Sequence, residues 1–153
     1  MKILLLEDKG VIAYPLKECL EEDNHNVFLA PNISRAKTCW REKPIDCIIA
    51  DLNMDPEGLE PAEKAETKNG LLTGWVWLRN YVFAKAEQMK TQTIILTAYM
   101  TELREAVADS ELKGIVLVEK NPLEEGASGS VLDSVKMIAD QLKDNCCKEL
   151  ADE

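Results

Sequence analysis

Short apolar runs of strand length alternate along this chain with longer segments whose apolar residues recur every three or four positions. The runs are Lys2–Leu6, Asn26–Ala30, 45–50, Thr93–Thr97 and 115–118, and Ile, Leu and Val dominate them. The segments between them predict helices over about 11–23 and 35–42, around Trp75, Val76, Trp77, Leu78, Tyr81 and Val82 with a cap region near Thr73-Gly74, and over about 101–109. A last helix, capped by Ser128 or Ser130, carries the stripe Val131, Val135, Ile138 and Leu142. Breakers mark the joints. Pro15 is placed near the first turn of its helix, where a missing N–H costs least; Asn32 and Ser34 offer capping chemistry, and Pro44 stops the second helix. Strands alternating with helices predict an α/β fold with a parallel sheet covered on both faces. The run 45–50 is almost wholly apolar, as a central strand of such a sheet must be.

One segment breaks the pattern. Residues 55–69 carry Asp55, Glu57, Glu60, Glu63 and Glu66 against Lys64 and Lys68, with Pro56 and Pro61 and no apolar period. This stretch reads as a loop or a partly helical, mobile insert after the third strand.

Polar residues stand where the apolar runs stop. Glu7 and Asp8 follow the first run, Asp51 the third, Thr97 ends the fourth and Lys120 follows the fifth. In an open parallel sheet the carboxyl ends of the strands converge on one crevice, so these groups become neighbours. Hard carboxylate oxygens suit a cation such as Mg²⁺. Three acids in one crevice also repel one another unless a cation intervenes, and Lys120 supplies one. Taken singly, each has a plainer reading: an acid after a buried strand forms a turn, Thr97 caps a helix, and Lys120 is a solvated lysine. Their joint placement carries the functional reading.

This order of residues resembles the receiver domain of two-component response regulators, over nearly the whole chain. The resemblance implies a flavodoxin-like three-layer sandwich with a five-stranded parallel sheet of order 2-1-3-4-5, a receiver domain over 1–145 and a short tail over 146–153. It implies a phosphorylation-dependent signalling switch in which Asp51 accepts a phosphoryl group from a sensor histidine kinase or a histidine phosphotransfer protein. Mg²⁺, or Mn²⁺, would be held by Glu7, Asp8, Asp51 and the backbone carbonyl of Asn53. The phosphoryl oxygens would meet Thr97, the Ala98 N–H and Lys120, while Tyr99 shields the acyl phosphate from water. Such a protein is a phosphoacceptor that assists its own phosphorylation and dephosphorylation, not a turnover enzyme. Its output would run through a downstream protein partner, and the fourth helix, fifth strand and fifth helix would form the output or homodimer face.

The chain also departs from that pattern. The glycine that opens the third helix follows the aspartate closely in typical receivers, whereas here it is Gly74, so the intervening loop is enlarged. Leu117 stands where many receivers carry an aromatic switch residue. Pro122 lies one position further from Lys120 than the family places it, which leaves Lys120–Asn121 an ordinary trans bond. These departures keep open a pseudo-receiver that binds partners without phosphorylation. A phosphatase of the haloacid dehalogenase type expects a DxD motif after the first strand, which Glu7-Asp8-Lys9 does not provide. A flavin-binding protein of the same sheet order expects a Ser/Thr/Gly-rich phosphate loop there, and Lys9-Gly10-Val11-Ile12-Ala13 is a poor one.

Composition narrows the picture further. A length of 153 residues fits one domain with a core that needs no staples. The five cysteines show no CxxC spacing and the single histidine, His25, has no partner of metal-site spacing, so reduced thiols and a loop histidine away from the cluster are expected. A formal net charge of −10 with scattered Lys and Arg argues against nucleic-acid binding. No apolar stretch reaches the roughly 18 residues of a membrane span, and the start of the chain has no secretory-signal pattern, so a cytoplasmic protein is expected.

Overall fold

The computed structural model of the protein describes residues 1–120 and 129–151. In chain order its elements are β1 (Lys2–Leu6), α1 (Gly10–Glu22), β2 (Asn26–Ala30), α2 (Ile33–Glu42), β3 (Cys47–Asp51), α3 (Pro61–Lys64), α4 (Thr73–Trp77), a π-helical segment (Leu78–Phe83), a 3₁₀ segment (Glu87–Gln92), β4 (Thr93–Thr97), α5 (Met100–Ala106), α6 (Asp109–Leu112), β5 (Val116–Glu119) and α7 (Gly129–Ala151). The five strands form one parallel sheet of order β2-β1-β3-β4-β5. This is the expected topology.

Side chains of a strand alternate between its two faces, and this alternation builds two cores. Ile3 and Leu5 of β1 point to one side, where they join Leu16 and Leu20 of α1 and Val135, Ala139 and Leu142 of α7. Leu4 and Leu6 point to the other, against Ile33, Ala36 and Cys39 of α2 and the run from Trp75 to Leu78. β3 and β4 are buried throughout, as strands covered on both faces must be. Cys39 and Cys47 lie in these cores. His25 is buried too, and its Nε2 stands 3.2 Å from Asp140 Oδ1, which ties the α1–β2 turn to α7, far from the crevice.

Local chemistry accounts for most boundaries. Asn32 caps α2, its side-chain oxygen accepting the Arg35 N–H at 2.8 Å. Pro15 lies inside α1 rather than in its first turn. The helix absorbs it because Val11 and Pro15 sit on the exposed face, where water serves the carbonyl that loses its donor. The third helix is α4 continued as the π-helical segment, and the 3₁₀ segment after it was not expected from the sequence. The fourth helix ends at Ala106 and gives way to the separate turn α6. Ser130 falls within α7 rather than at its cap, while Ser128 and the expected trans bond Lys120–Asn121 lie outside the described residues. α7 also runs on to Ala151, through most of the stretch expected as a tail. No helix among the described residues is long and apolar enough to cross a membrane.

The insert is partly helical, through α3, and is docked on the body of the protein. Leu59 and Thr67 are buried, and Glu60 and Glu63 form a capping box around α3. The Glu63 carboxylate accepts the Tyr81 hydroxyl and the Asn80 amide, both at 2.7 Å, and Glu66 pairs with Arg79. Burial alone would raise the Glu63 carboxyl, but the Glu60 N–H, Tyr81 and Asn80 outweigh it and hold the group below its usual range. The same bond to Glu63, with burial, pushes the Tyr81 phenol up to about 12. From α2, Lys37 donates to the Gly58 carbonyl at 2.5 Å and stands 4.4 Å over the Tyr81 ring. All three partners on the third helix lie in its π-helical stretch.

Candidate functional site

The register of the parallel sheet brings the polar residues together. Leu6 is level with Ala30 on one side and Ala50 on the other, Asp51 with Leu96, and Thr97 with Glu119, so Glu7, Asp51, Thr97 and Lys120 end neighbouring strands. The backbone extends the sheet one step further. Glu7 N–H donates to the Ala30 carbonyl at 3.1 Å, and Lys120 N–H to the Thr97 carbonyl at 2.8 Å.

One carboxylate oxygen each from Glu7, Asp8 and Asp51 lies within 4.8 Å of the other two. Glu7 and Asp51 are each only 2% exposed, while Asp8 is open to solvent. Lys120 reaches into the group: its Nζ stands 3.1 Å from Asp51 Oδ2 and 3.4 Å from Glu7 Oε2. Three carboxylates thus face one ammonium, two of them out of water. Burial, then the charge of Asp51, pushes the Glu7 carboxyl up to about 8, against the pull of Lys120 and the Lys9 N–H. Burial raises Asp51 as well, while Lys120, the Asn53 N–H and Glu7 pull it down. Both carboxyls are thus driven toward holding a proton when no further cation is present, because Lys120 alone does not offset their charge.

This excess of buried negative charge, presented as hard oxygens open to solvent on the Asp8 side, fits a divalent cation such as Mg²⁺. A cation there would replace the proton and offset the repulsion that burial amplifies.

The other expected positions are placed as follows. Thr97 is fully buried, and its Oγ1 accepts the Tyr99 N–H at 3.0 Å, which leaves the hydroxyl proton to donate elsewhere. Ala98 lies between them at the start of the loop to α5. Asn53 donates its N–H to Asp51 Oδ1 at 3.3 Å. Leu117 is half-buried against the α2–α4 core. Gly74 has a steric reason to be glycine: a Cβ there would stand 2.3 Å from the Asp51 carbonyl oxygen, so the third helix can pack onto the end of β3 only without a side chain. Sequence reasoning passed over Gly70 and read Thr73 only as part of a helix cap region, whereas the two close the insert onto residue 54 just past the site. The Asn69-Gly70 dipeptide was the available signal.

No protein-family model and no curated protein sequence matches the chain. Solved structures do. The receiver domain of a Francisella response regulator is similar with a TM-score of 0.63 and 21% identity, over 95% of this chain and 98% of that one. The response regulator TrrA from Thermotoga maritima, solved in complex with Mg²⁺-BeF, gives 0.59 and 22%, over 90% and 97%. The non-phosphorylated HemR receiver domain from Leptospira biflexa gives 0.54 and 25%, over 92% of each chain. With its sheet order, its helical layers and nearly its whole length in common with them, the chain has the fold of response regulator receiver domains.

Proposed function

We propose that the protein is a phosphorylation-dependent signalling switch whose phosphoacceptor is Asp51. One observation carries the reading: a nearly buried aspartate lies within 3.1 Å of a lysine ammonium and beside two further carboxylates at the carboxyl edge of a receiver-type sheet.

Phosphoryl transfer asks little covalent chemistry of a protein and much charge neutralisation and positioning. Asp51 Oδ attacks phosphorus, the bond from phosphorus to the donor nitrogen of a phosphohistidine breaks, and the imidazole leaves with the bonding pair. Glu7, Asp8, Asp51 and the Asn53 carbonyl are the residues that would hold Mg²⁺, and bound there it supplies charge neutralisation for the phosphoryl oxygens. Lys120 moves from pairing with Asp51 to pairing with a phosphoryl oxygen. Thr97 donates its hydroxyl proton, and the Ala98 N–H donates beside it. Tyr99 lies two residues beyond Thr97 and shields the acyl phosphate from attacking water.

The switch itself follows from charge. Phosphorylation adds negative charge beside the loop that holds Thr97 and Tyr99, and a protein partner that prefers the rearranged loop draws the population toward it. Leu117 cannot make the swing an aromatic ring would, so the signal leaves through the Thr97 loop and α5. The phosphodonor is a sensor histidine kinase or a histidine phosphotransfer protein. The output or homodimer face is that of α5, β5 and α7, and the receiver unit spans 1–145.

The test is intact mass after incubation with a small acyl phosphate. A gain of one phosphoryl group that maps to Asp51 upholds the reading. An unchanged mass in protein shown to bind Mg²⁺ replaces it with a pseudo-receiver that serves as an interaction module.

A further inference from the structure

As the chain leaves β3, the far end of the insert catches it within three residues. The Met54 N–H donates to the Gly70 carbonyl at 3.1 Å, and the Leu52 carbonyl accepts the Gly74 N–H at 3.0 Å. The Met54 carbonyl accepts the Thr73 hydroxyl at 2.8 Å, and that hydroxyl also lies 3.1 Å from the Gly70 carbonyl. Thr73 is fully buried. Gly70 adopts a φ of +91°, and a Cβ there would stand 2.9 Å from the Met54 carbonyl oxygen, so only glycine permits this approach. Both backbone groups of Met54 are thereby fixed.

This clasp sets the direction of the preceding carbonyl. The Asn53 C=O and the Met54 N–H belong to one planar trans peptide unit and point opposite ways. With Gly70 holding the N–H, the Asn53 carbonyl is turned away from the insert. The next unit back is fixed as well, since the Asn53 N–H donates to Asp51 Oδ1 at 3.3 Å.

We propose that Thr73, acting through Met54 and Gly70, is a positioning residue for the divalent-cation site, aiming the Asn53 carbonyl at the cation. This rests on the reading of Glu7, Asp8, Asp51 and Asn53 as its ligands. The long insert makes such a device necessary. Residues 55–72 separate the ligand loop from the helix that backs it, and a loop of that length would leave the carbonyl free to rotate were its neck not closed. Thr73 and Gly70 close the neck beside the site, so the body of the insert can vary without disturbing the cation.

The experiment measures the Mg²⁺ dissociation constant of the unphosphorylated protein by calorimetry for the wild type, Thr73→Val and Thr73→Ser, with the urea stability of each recorded in chelator. Valine keeps the shape and removes the hydroxyl; serine keeps the hydroxyl. Thr73→Val is expected to bind Mg²⁺ about tenfold more weakly, and Thr73→Ser to bind like the wild type. A folded Thr73→Val with wild-type affinity overturns the inference, as does a Thr73→Ser that loses affinity equally. Should Thr73→Val not fold, the wild type decides: Mg²⁺ must shift the Asn53 carbonyl carbon and the Met54 amide resonances, and their invariance overturns the inference. Wild-type binding that Asp51→Ala abolishes upholds the metal reading whatever Thr73 does. A wild type that binds no Mg²⁺ overturns both.

Discussion

The Lys120 ammonium lies 3.1 Å from Asp51 Oδ2, with only 11% of the lysine side chain and 2% of the aspartate side chain exposed. At that burial the pair differs from a surface salt bridge, because neither charge can fall back on bulk water. Lys120→Met keeps the side chain's bulk and removes the charge. In chelator, its unfolding free energy in urea should fall by about 3 kcal/mol. Its Mg²⁺ affinity should rise, since a cation that repelled the metal is gone, while phosphorylation by a small acyl phosphate should slow. Weaker Mg²⁺ binding in this variant would show that Lys120 does not face the carboxylate cluster.

Glu7 predicts a pH dependence whose sign depends on the metal. Burial and Asp51 raise its carboxyl to about 8, from 4.5 for an ordinary glutamate. The folded protein therefore holds the proton to a higher pH than the unfolded chain does. Its contribution to stability is complete below the unfolded value and is lost as pH rises through about 8. Urea denaturation in chelator should show stability falling across that window, and Glu7→Gln should flatten the decline. Mg²⁺ affinity should climb over the same range, because binding displaces the proton. A metal-free stability that rises between about pH 5 and about pH 8 would contradict the burial argument.

Tyr99 lies two residues beyond Thr97 and donates its N–H to Thr97 Oγ1. If the ring shields the acyl phosphate, Tyr99→Ala should shorten the lifetime of the phosphorylated protein several-fold without altering Mg²⁺ binding. Loss of label after removal of the phosphodonor gives the rate. An unchanged rate removes Tyr99 from the mechanism.

Glu63 clasps the insert to the third helix through Tyr81 and Asn80. Glu63→Ala should speed amide exchange over residues 60–69 while lowering global stability by less than about 1 kcal/mol, as expected for a partly exposed network. Small-donor phosphorylation should not change, since the neck at Gly70 and Thr73 is untouched. Exchange that stays slow would show that Leu59 and Thr67, not the polar clasp, hold the insert down.

The fold was legible because its signals are local and repeated. The apolar run of Lys2–Leu6, the unbroken apolar run before Asp51 and the punctuation at Pro44 follow from strand geometry and backbone chemistry alone. The cluster was legible because parallel strands bring their carboxyl ends to one edge, so Glu7, Asp8, Asp51, Thr97 and Lys120 needed only the order of the strands to become neighbours. The docking of the insert was hidden. Glu63, Glu66, Lys37, Arg79 and Tyr81 come from three separated segments, and a charged stretch without apolar period looks the same whether solvated or paired. The π-helical stretch at Leu78–Phe83 and the depth of Pro15 in α1 were hidden as well: residues of that stretch meet Glu63 and Glu66 across the chain, and Pro15 is tolerated because its face of α1 is exposed.

The most direct measurement is intact-protein mass after exposure to acetyl phosphate, with Mg²⁺ and with chelator, for the wild type and Asp51→Ala. A gain of one phosphoryl mass in the wild type with Mg²⁺, absent in chelator and absent in the variant, is the predicted result. A wild type that binds Mg²⁺ yet gains no mass, or an Asp51→Ala protein that gains it equally, would contradict the account.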